Sequence, residues 1–313
     1  QCMQVWDAGG DGSIRFDAAE LGASALGYIV EARVLLDALA RQLQRTSSIE
    51  VLTKDELQSF MANDSGIDLK LKSGKTIHSK LLIGADGANS KVRQLAGIET
   101  VGWSYGQQAV VATVETEHQH QQTAWQRFLP EGPLAFLPME KPWCSIVWTV
   151  SEQRAEVLCE LDKADFMHVL GESFQSRLGT IRQVGDRAKF PLRLSHAQEY
   201  IAPRVALVAD AAHTVHPLAG QGLNLGLLDV AGLAESLSHA IDVGRDIGSR
   251  RVLRAYERSR KGDNWLMQGS FDGLKRLFSN DQQLLAYLRN TGLSAVDRLS
   301  VLKNAFARKA MGL

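Results

Sequence analysis

Residues 207 to 226 read LVADAAHTVHPLAGQGLNLG and gather several groups able to do chemistry. Asp210 closes an apolar run, His213 and His216 follow at three-residue steps, and Gln221 and Asn224 stand among Gly220, Gly222 and Gly226. In the order D-x-x-H-x-x-H, Asp210, His213 and His216 have a spacing open to zinc or iron, which take neutral imidazole. Against this, Pro217 stiffens the loop directly after His216, and no H-E-x-x-H or other helix-borne pair accompanies it. No metal is therefore expected, and hydrogen bonds from both imidazoles to loop backbone account for them.

A phosphate cradle is the second option. AGQGLN lacks the Lys-Ser/Thr of a P-loop, and its G-x-G-x-x-x-G spacing does not directly follow a strand, as a dinucleotide fingerprint must. The third option is a strand, RVALVAD, with Asp210 at its carboxyl tip, where open α/β sheets bind ligands. Gly220 and Gly222 let backbone N–H groups approach a flat or anionic ligand closely. A helix starting near Gly222 turns its positive end toward the same place. Asp210 can accept hydrogen bonds from ribityl or ribose hydroxyls. A flavin suits this set, because its reduced pyrimidine edge is negatively charged. The plainer alternative is a helix start that uses glycine for packing alone.

The elements around this stretch can be read from periodicity. Residues 3 to 17 alternate around GGDG as a hairpin, and GYIVEARVLLDALARQLQR has a helical apolar spacing. IEVLT leads to a second hairpin, IDLKLKSGKTIHSK, with its turn at Ser73-Gly74. LLIGADGANSKVRQLAGI reads as strand, turn and helix start, residues 105 to 150 as an antiparallel sheet, and DFMHVLGESFQSRL as a helix. AKFPLRLSHAQEYIAPRVALVAD returns to strands, residues 222 to 240 form a long helix, and helical periodicity recurs from about residue 250 to the end.

Bulk properties narrow the class. The 35 basic and 35 acidic residues cancel and form no run of five like charges, which argues against nucleic acid as a partner and against a polybasic membrane patch. Cys2, Cys144 and Cys159 lie far apart with no C-x-x-C pair, which suits a reduced compartment and disfavours structural zinc. No apolar stretch reaches the ~20 residues of a membrane span, and no secretory leader pattern is visible.

Two longer patterns point to a family. GADGANSKVR (84 to 93) and ADAAHTVHPLAGQGLNLGLLD (209 to 229) resemble the two internal FAD motifs, D-G and G-D, of the aromatic-hydroxylase class of flavoprotein monooxygenases. LGYIVEARVLLDAL, WSYGQQAVVATV, FLPEGPLAFLPM and HTVHPLAGQGLNLGLLDV are similar to the FAD-dependent hydroxylases of ubiquinone biosynthesis, nearest to the C5-hydroxylases of 2-polyprenylphenols. The likeness runs over nearly the whole chain. Two departures stand out. The family opens with a βαβ unit carrying G-x-G-x-x-G for the ADP half of FAD. No such motif is found here, so the chain is expected to start after that unit, as an N-terminally truncated fragment with weak or no FAD binding. Ala209 stands where the G-D motif usually has glycine, a change expected to be tolerated.

The resemblance implies a mixed α+β and α/β fold, in which an FAD-binding lobe lacking its first βαβ unit is interrupted by an antiparallel-sheet substrate domain and followed by a helical C-terminal region. The corresponding boundaries are 1–100 for the remainder of the lobe, with a β-hairpin contributed to the substrate domain, 101–195 for that sheet domain, 196–240 for the G-D motif and its helix, and 241–313 for the helical region. It implies FAD as cofactor and NAD(P)H as cosubstrate: NAD(P)H reduces the flavin, O2 adds at its C4a atom, and one oxygen passes to an electron-rich phenol ring.

By motif, Asp210 contacts the ribityl chain and Gly220, Gln221, Gly222, Leu223 and Asn224 line the pyrimidine edge. Asp86 sits near the pyrophosphate and assists NAD(P)H use, or caps the helix that follows. Arg33 matches a basic position on the helix that reaches FAD, or is a solvated surface arginine. His213 and Pro217 fall near the reactive face of the flavin, with no catalytic role assigned to either because the flavin carries the chemistry. Trp125, Phe128, Phe136 and Trp148 are candidates to line a channel for a polyprenyl tail, or are ordinary core.

The implied substrate is a polyprenylphenol. Other ubiquinone-biosynthesis proteins are candidate partners for the C-terminal helices, with weak peripheral membrane association. The implied location is the cytoplasm, at the surface of the inner membrane. Two alternatives stay open: another isoprenoid-acting flavoprotein, such as a reductase or epoxidase, or a catalytically silent interaction subunit.

Overall fold

The computed structural model describes residues 1–10, 12–215, 222–278, 303–304 and 307–308. In chain order its strands and helices begin with β1 (Cys2–Asp7), β2 (Ser13–Asp17) and α1 (Ala32–Arg45). β3 (Leu57–Ala62), β4 (Ile67–Leu71), β5 (Thr76–Ser79), β6 (Leu82–Gly84) and α2 (Lys91–Leu95) follow. Next come β7 (Thr100–Thr116), β8 (Thr123–Leu129), β9 (Gly132–Pro138), β10 (Trp143–Ser151), α3 (Glu152–Glu160) and α4 (Lys163–Ser173). The order ends with β11 (Ile181–Val184), β12 (Ala188–Ala197), β13 (Ile201–Ala202), β14 (Val205–Leu207), β15 (His213–Thr214), α5 (Gly222–Asp242) and α6 (Arg250–Phe278). Two compact units divide the chain: Gln1–Thr46, Gly106–Pro191 and Leu274–Leu313 in the first, Ser47–Tyr105 and Leu192–Gly273 in the second.

The first unit is built on an antiparallel sheet. β10 pairs with β7 on one side, Ile146 opposite Ala112, and with β9 on the other, Ile146 opposite Phe136. β8 continues the sheet beside β9 and runs parallel to β1, which closes on β2 as the GGDG hairpin. Thr149 is buried on one face of β10 near the strand's end, and alternation along the strand sends Cys144, Ile146, Trp148 and Val150 to the other face. Those side chains meet Leu158 of α3 and Phe166 and Leu170 of α4 in one core. α3 starts where Ser151 accepts the Arg154 N–H and α4 where Asp162 accepts that of Asp165. α1 forms over the residues its spacing predicts, yet none of its residues is buried, and Val34, Leu36, Leu39 and Leu43 are exposed.

The second unit holds the meander β3-β4-β5 and a separate sheet in the order β13-β14-β6. Gly74 has a φ of 89° in the Ser73-Gly74 turn, a left-handed backbone that glycine adopts without strain. IEVLT itself is not a strand; the first strand of the meander is β3, four residues further on. The core centres on Val205, Ala206 and Leu207 of β14, Tyr200, and Leu253 and Tyr256 of α6. Arg204, buried before β14, donates to the carbonyls of Asn63, Asp64 and Lys80 and to the Asp246 carboxylate 2.7 Å away. A buried guanidinium needs that many acceptors to offset its lost hydration.

Candidate active site

β6 and β14 are parallel neighbours, with Leu207 opposite Gly84, so the Asp86-Gly87 and Ala209-Asp210 stretches both leave carboxyl ends of adjacent strands. The Val208 N–H donates to the Gly84 carbonyl at 3.0 Å. A Cβ on Gly84 would stand 2.8 Å from Leu207 Cδ2 and 3.0 Å from Val92 Cβ, so packing demands the glycine. Gly87, with φ 81°, makes the turn. Arg93 ties the two loops together by donating to the Ala88 and Ala211 carbonyls, 2.8 Å each. Asp86 and Asp210 therefore both stand past the carboxyl ends of neighbouring parallel strands, the place where open α/β sheets take ligands.

The two aspartates differ in what they do. Asp86 Oδ1 accepts from the Ser90 hydroxyl at 2.5 Å, and Oδ2 accepts the N–H groups of Lys91 at 2.7 Å and Val92 at 3.0 Å. Desolvation pushes its pKa up, but these hydrogen bonds outweigh it and leave the carboxyl below the ordinary aspartate value. The helix-cap reading of Asp86 is thus present in full.

Asp210 lies in a 3-10 turn, Ala209–Ala211, and no described residue hydrogen-bonds its carboxylate. Its side chain is exposed, yet surrounding protein atoms raise its pKa above the usual value, an effect the nearby His213 opposes. Gly222, Leu223 and Asn224 form the first turn of α5, where a Cβ on Gly222 would meet nothing closer than Val215 Cγ2 at 3.6 Å. His216, Pro217, Gly220 and Gln221 lie outside the described residues. Arg33 belongs to the first unit, where its guanidinium pairs with Glu31 at 2.6 Å and is 80% exposed.

His213 is buried, not open at a surface. Its Nε2 lies 2.5 Å from Oδ2 of Asp229, which also accepts the Ala209 N–H at 3.1 Å. Asp229 Oδ1 accepts from Arg260 Nε at 3.1 Å and Asn264 Nδ2 at 3.0 Å, and Asn264 donates on to the Tyr200 hydroxyl. Desolvation works to raise the Asp229 pKa, but its hydrogen bonds from His213, Asn264 and Arg260 prevail and hold it low. None of these partners was singled out from the sequence. The available signal was a lone charge, Asp229, inside the apolar run LNLGLLDVAGLA.

The comparisons with known proteins decide the family. A family profile described as an FAD binding domain matches residues 17–268. The 3-demethoxyubiquinol 3-hydroxylase of Escherichia coli is 42% identical over 95% of this chain and 76% of its own length. Human ubiquinone biosynthesis monooxygenase COQ6, mitochondrial, is 40% identical over 98% and 75%, and the ubiquinone hydroxylase UbiL of Rhodospirillum rubrum 41% over 99% and 72%. The chain belongs to the FAD-dependent hydroxylases of ubiquinone biosynthesis. It is accordingly an FAD-dependent aromatic monooxygenase. Among solved structures, p-nitrophenol 4-monooxygenase PnpA of Pseudomonas putida superposes with a TM-score of 0.79 at 18% identity, over 99% of this chain and 80% of that one. PqsL of Pseudomonas aeruginosa, a probable FAD-dependent monooxygenase, gives 0.76 at 21% identity over 94% and 81%. At such identities these two show the fold: a mixed α/β body with a large sheet and a helical C-terminal region.

The residues present fit FAD. Asp210 offers a carboxylate that no described group uses, and Gly222 leaves room at the start of a 21-residue helix. The aromatic residues considered for a tail channel fare differently. Phe136 and Trp148 are core, with Phe136 stacked on Phe174 at 3.8 Å between centroids, while Trp125 is partly buried against the same cluster. Phe128 is half-buried and also makes contacts of its own.

Proposed function

We propose that this chain hydroxylates the aromatic ring of a polyprenylphenol precursor of ubiquinone, taking electrons from NAD(P)H and oxygen from O2. The observation that carries the reading is Asp210: an exposed carboxylate at a strand end, hydrogen-bonded by no other group among the described residues, in a chain about 40% identical to ubiquinone hydroxylases. When bound, FAD supplies the redox chemistry. Asp210 would accept hydrogen bonds from its ribityl hydroxyls, and Gly222, Leu223 and Asn224, at the positive end of α5, would hold its pyrimidine edge. Gly220, Gln221 and Pro217 belong to the same reading by motif. Arg93 ties the two loops together, while Asp86 caps the helix that follows it. Arg33, at the start of α1, is assigned to FAD by motif alone.

The hydrophobic tail favours contact with a membrane surface, reached from the cytoplasmic side, and the C-terminal region, which lies largely outside the described residues, is the proposed docking element for other proteins of the pathway. Among the described residues no helix is long and apolar enough to cross a membrane. The test is complementation. The gene is expressed in Escherichia coli lacking 3-demethoxyubiquinol 3-hydroxylase, and quinones are profiled by mass spectrometry. Return of ubiquinone with the native chain, and not with Asp210→Asn, is the expected result. Unchanged precursor with the native chain would remove this substrate class; equal rescue by both would remove Asp210 from the site.

A further inference from the structure

We propose that Asp229 is a positioning residue that sets the direction of the Asp210 carboxylate. This rests on the reading of Asp210 as a flavin contact. Asp229 is fully buried on α5, and its Oδ2 grips the loop twice, at the Ala209 N–H and at His213 Nε2. These two grips bracket Asp210, one residue before it and three after. The backbone between the two grips fixes where the Asp210 side chain leaves the chain, and among the described residues no donor holds its carboxylate otherwise.

That backbone is held against its preference. Ala209 has a φ of 55°, the left-handed region that an L residue with a Cβ enters at a cost. Such a conformation persists only where its surroundings impose it, and it clusters at ligand sites. Asp229 imposes it from one side. From the other, β15 pairs with β12, His213 opposite His196, and the Ala197 N–H donates to the Ala212 carbonyl at 2.7 Å. Arg260 and Asn264 of α6 then keep Asp229 charged and fixed through its second oxygen. The loop is thereby referenced to both long helices, and the carboxylate that meets the ligand is presented by one that never leaves the core.

The deciding experiment is a double-mutant cycle on FAD affinity, read by flavin fluorescence titration, with thermal melts of every variant. Asp210→Asn is expected to weaken the FAD Kd about ten-fold, the usual scale for a hydrogen bond to a charged group. His213→Leu releases one grip and is expected to weaken it by a similar factor, and the double variant no more than either single one. His213→Gln, whose amide nitrogen reaches Asp229, restores affinity close to the native value. Should His213→Leu fail to fold, His213→Asn, which stops short of Asp229, supplies the same arm. Losses that multiply to about a hundred-fold overturn the proposal while leaving Asp210 a flavin contact. A lowered melting temperature with unchanged Kd in His213→Leu also overturns it, by making Asp229 structural only. If Asp210→Asn itself leaves the Kd unchanged, both this proposal and the reading of Asp210 fall.

Discussion

Ala209 and Gly226 face each other so closely that a methyl on Gly226 would stand 2.7 Å from the Ala209 Cβ. The methyl of Ala209 therefore packs on α5, which is how alanine is accommodated where the family's motif usually has glycine. The backbone still carries the cost of a φ of 55°. Ala209→Gly should release about 1–2 kcal/mol of that cost and lose about 0.5–1 kcal/mol to added freedom in the unfolded chain, for a net gain of up to about 1.5 kcal/mol. Gly226→Ala should lose about 1–3 kcal/mol by overpacking. Urea unfolding measures both. A less stable Ala209→Gly variant would mean that the methyl contact outweighs the strain.

Burial of His196 predicts a pH dependence. Its Nδ1 lies 2.8 Å from Gln268 Oε1, an acceptor, so Nδ1 carries the proton and Nε2 is left buried with no partner among the described residues. Burial lowers its pKa to about 4, with Gln268 pulling the other way. Because the folded pKa lies below the unfolded value of ~6.5, the unfolded chain binds the extra proton between these limits, and stability falls as pH drops from ~6.5 to ~4. The loss from this one group is on the order of 3 kcal/mol. Melting curves of the native chain and His196→Gln should converge on each other as pH falls across that window. Parallel curves would place the acid sensitivity elsewhere.

Phe136 separates the channel and core readings of the aromatic residues. It is fully buried and stacked on Phe174, so Phe136→Ala should cost about 3–5 kcal/mol by opening a cavity. A tail-channel residue would instead raise the KM for long-tailed substrates with little change in the melting temperature. Thermal unfolding alone distinguishes the two outcomes.

Much of this was legible in the sequence where a pattern is local. RVALVAD, the Ser73-Gly74 turn and the α5 helix rest on apolar runs, glycine punctuation and helical spacing, and each element formed close to where those signals put it. α3 escaped notice because only Ala155 and Leu158 of EQRAEVLCE are buried, too few to print a period. Asp229 escaped for a different reason. Its partners Ala209 and Arg260 lie 20 and 31 residues away, and only the folded chain brings them to it. Reading His213 by its neighbours in sequence suggested a hydrogen bond to loop backbone, whereas its Nε2 meets the buried carboxylate of Asp229.

Asp86 offers the last prediction, because its cap and any cofactor role respond differently to one substitution. Asp86→Ala removes the acceptor for the Ser90 hydroxyl and for the Lys91 and Val92 N–H groups, and should cost about 0.5–2 kcal/mol as a lost cap. Asp86→Asn keeps one carbonyl oxygen and should recover about half of that. The folded pKa of Asp86 is depressed, so its charge adds stability above the ordinary aspartate pKa of ~3.9 and that contribution is lost as pH falls through the folded value. The gap between the native chain and Asp86→Asn should therefore be full at neutral pH and close below about pH 4. A purely capping Asp86 leaves the KM for NAD(P)H unchanged in Asp86→Asn. A raised KM with normal stability would show that its charge also acts on the cosubstrate.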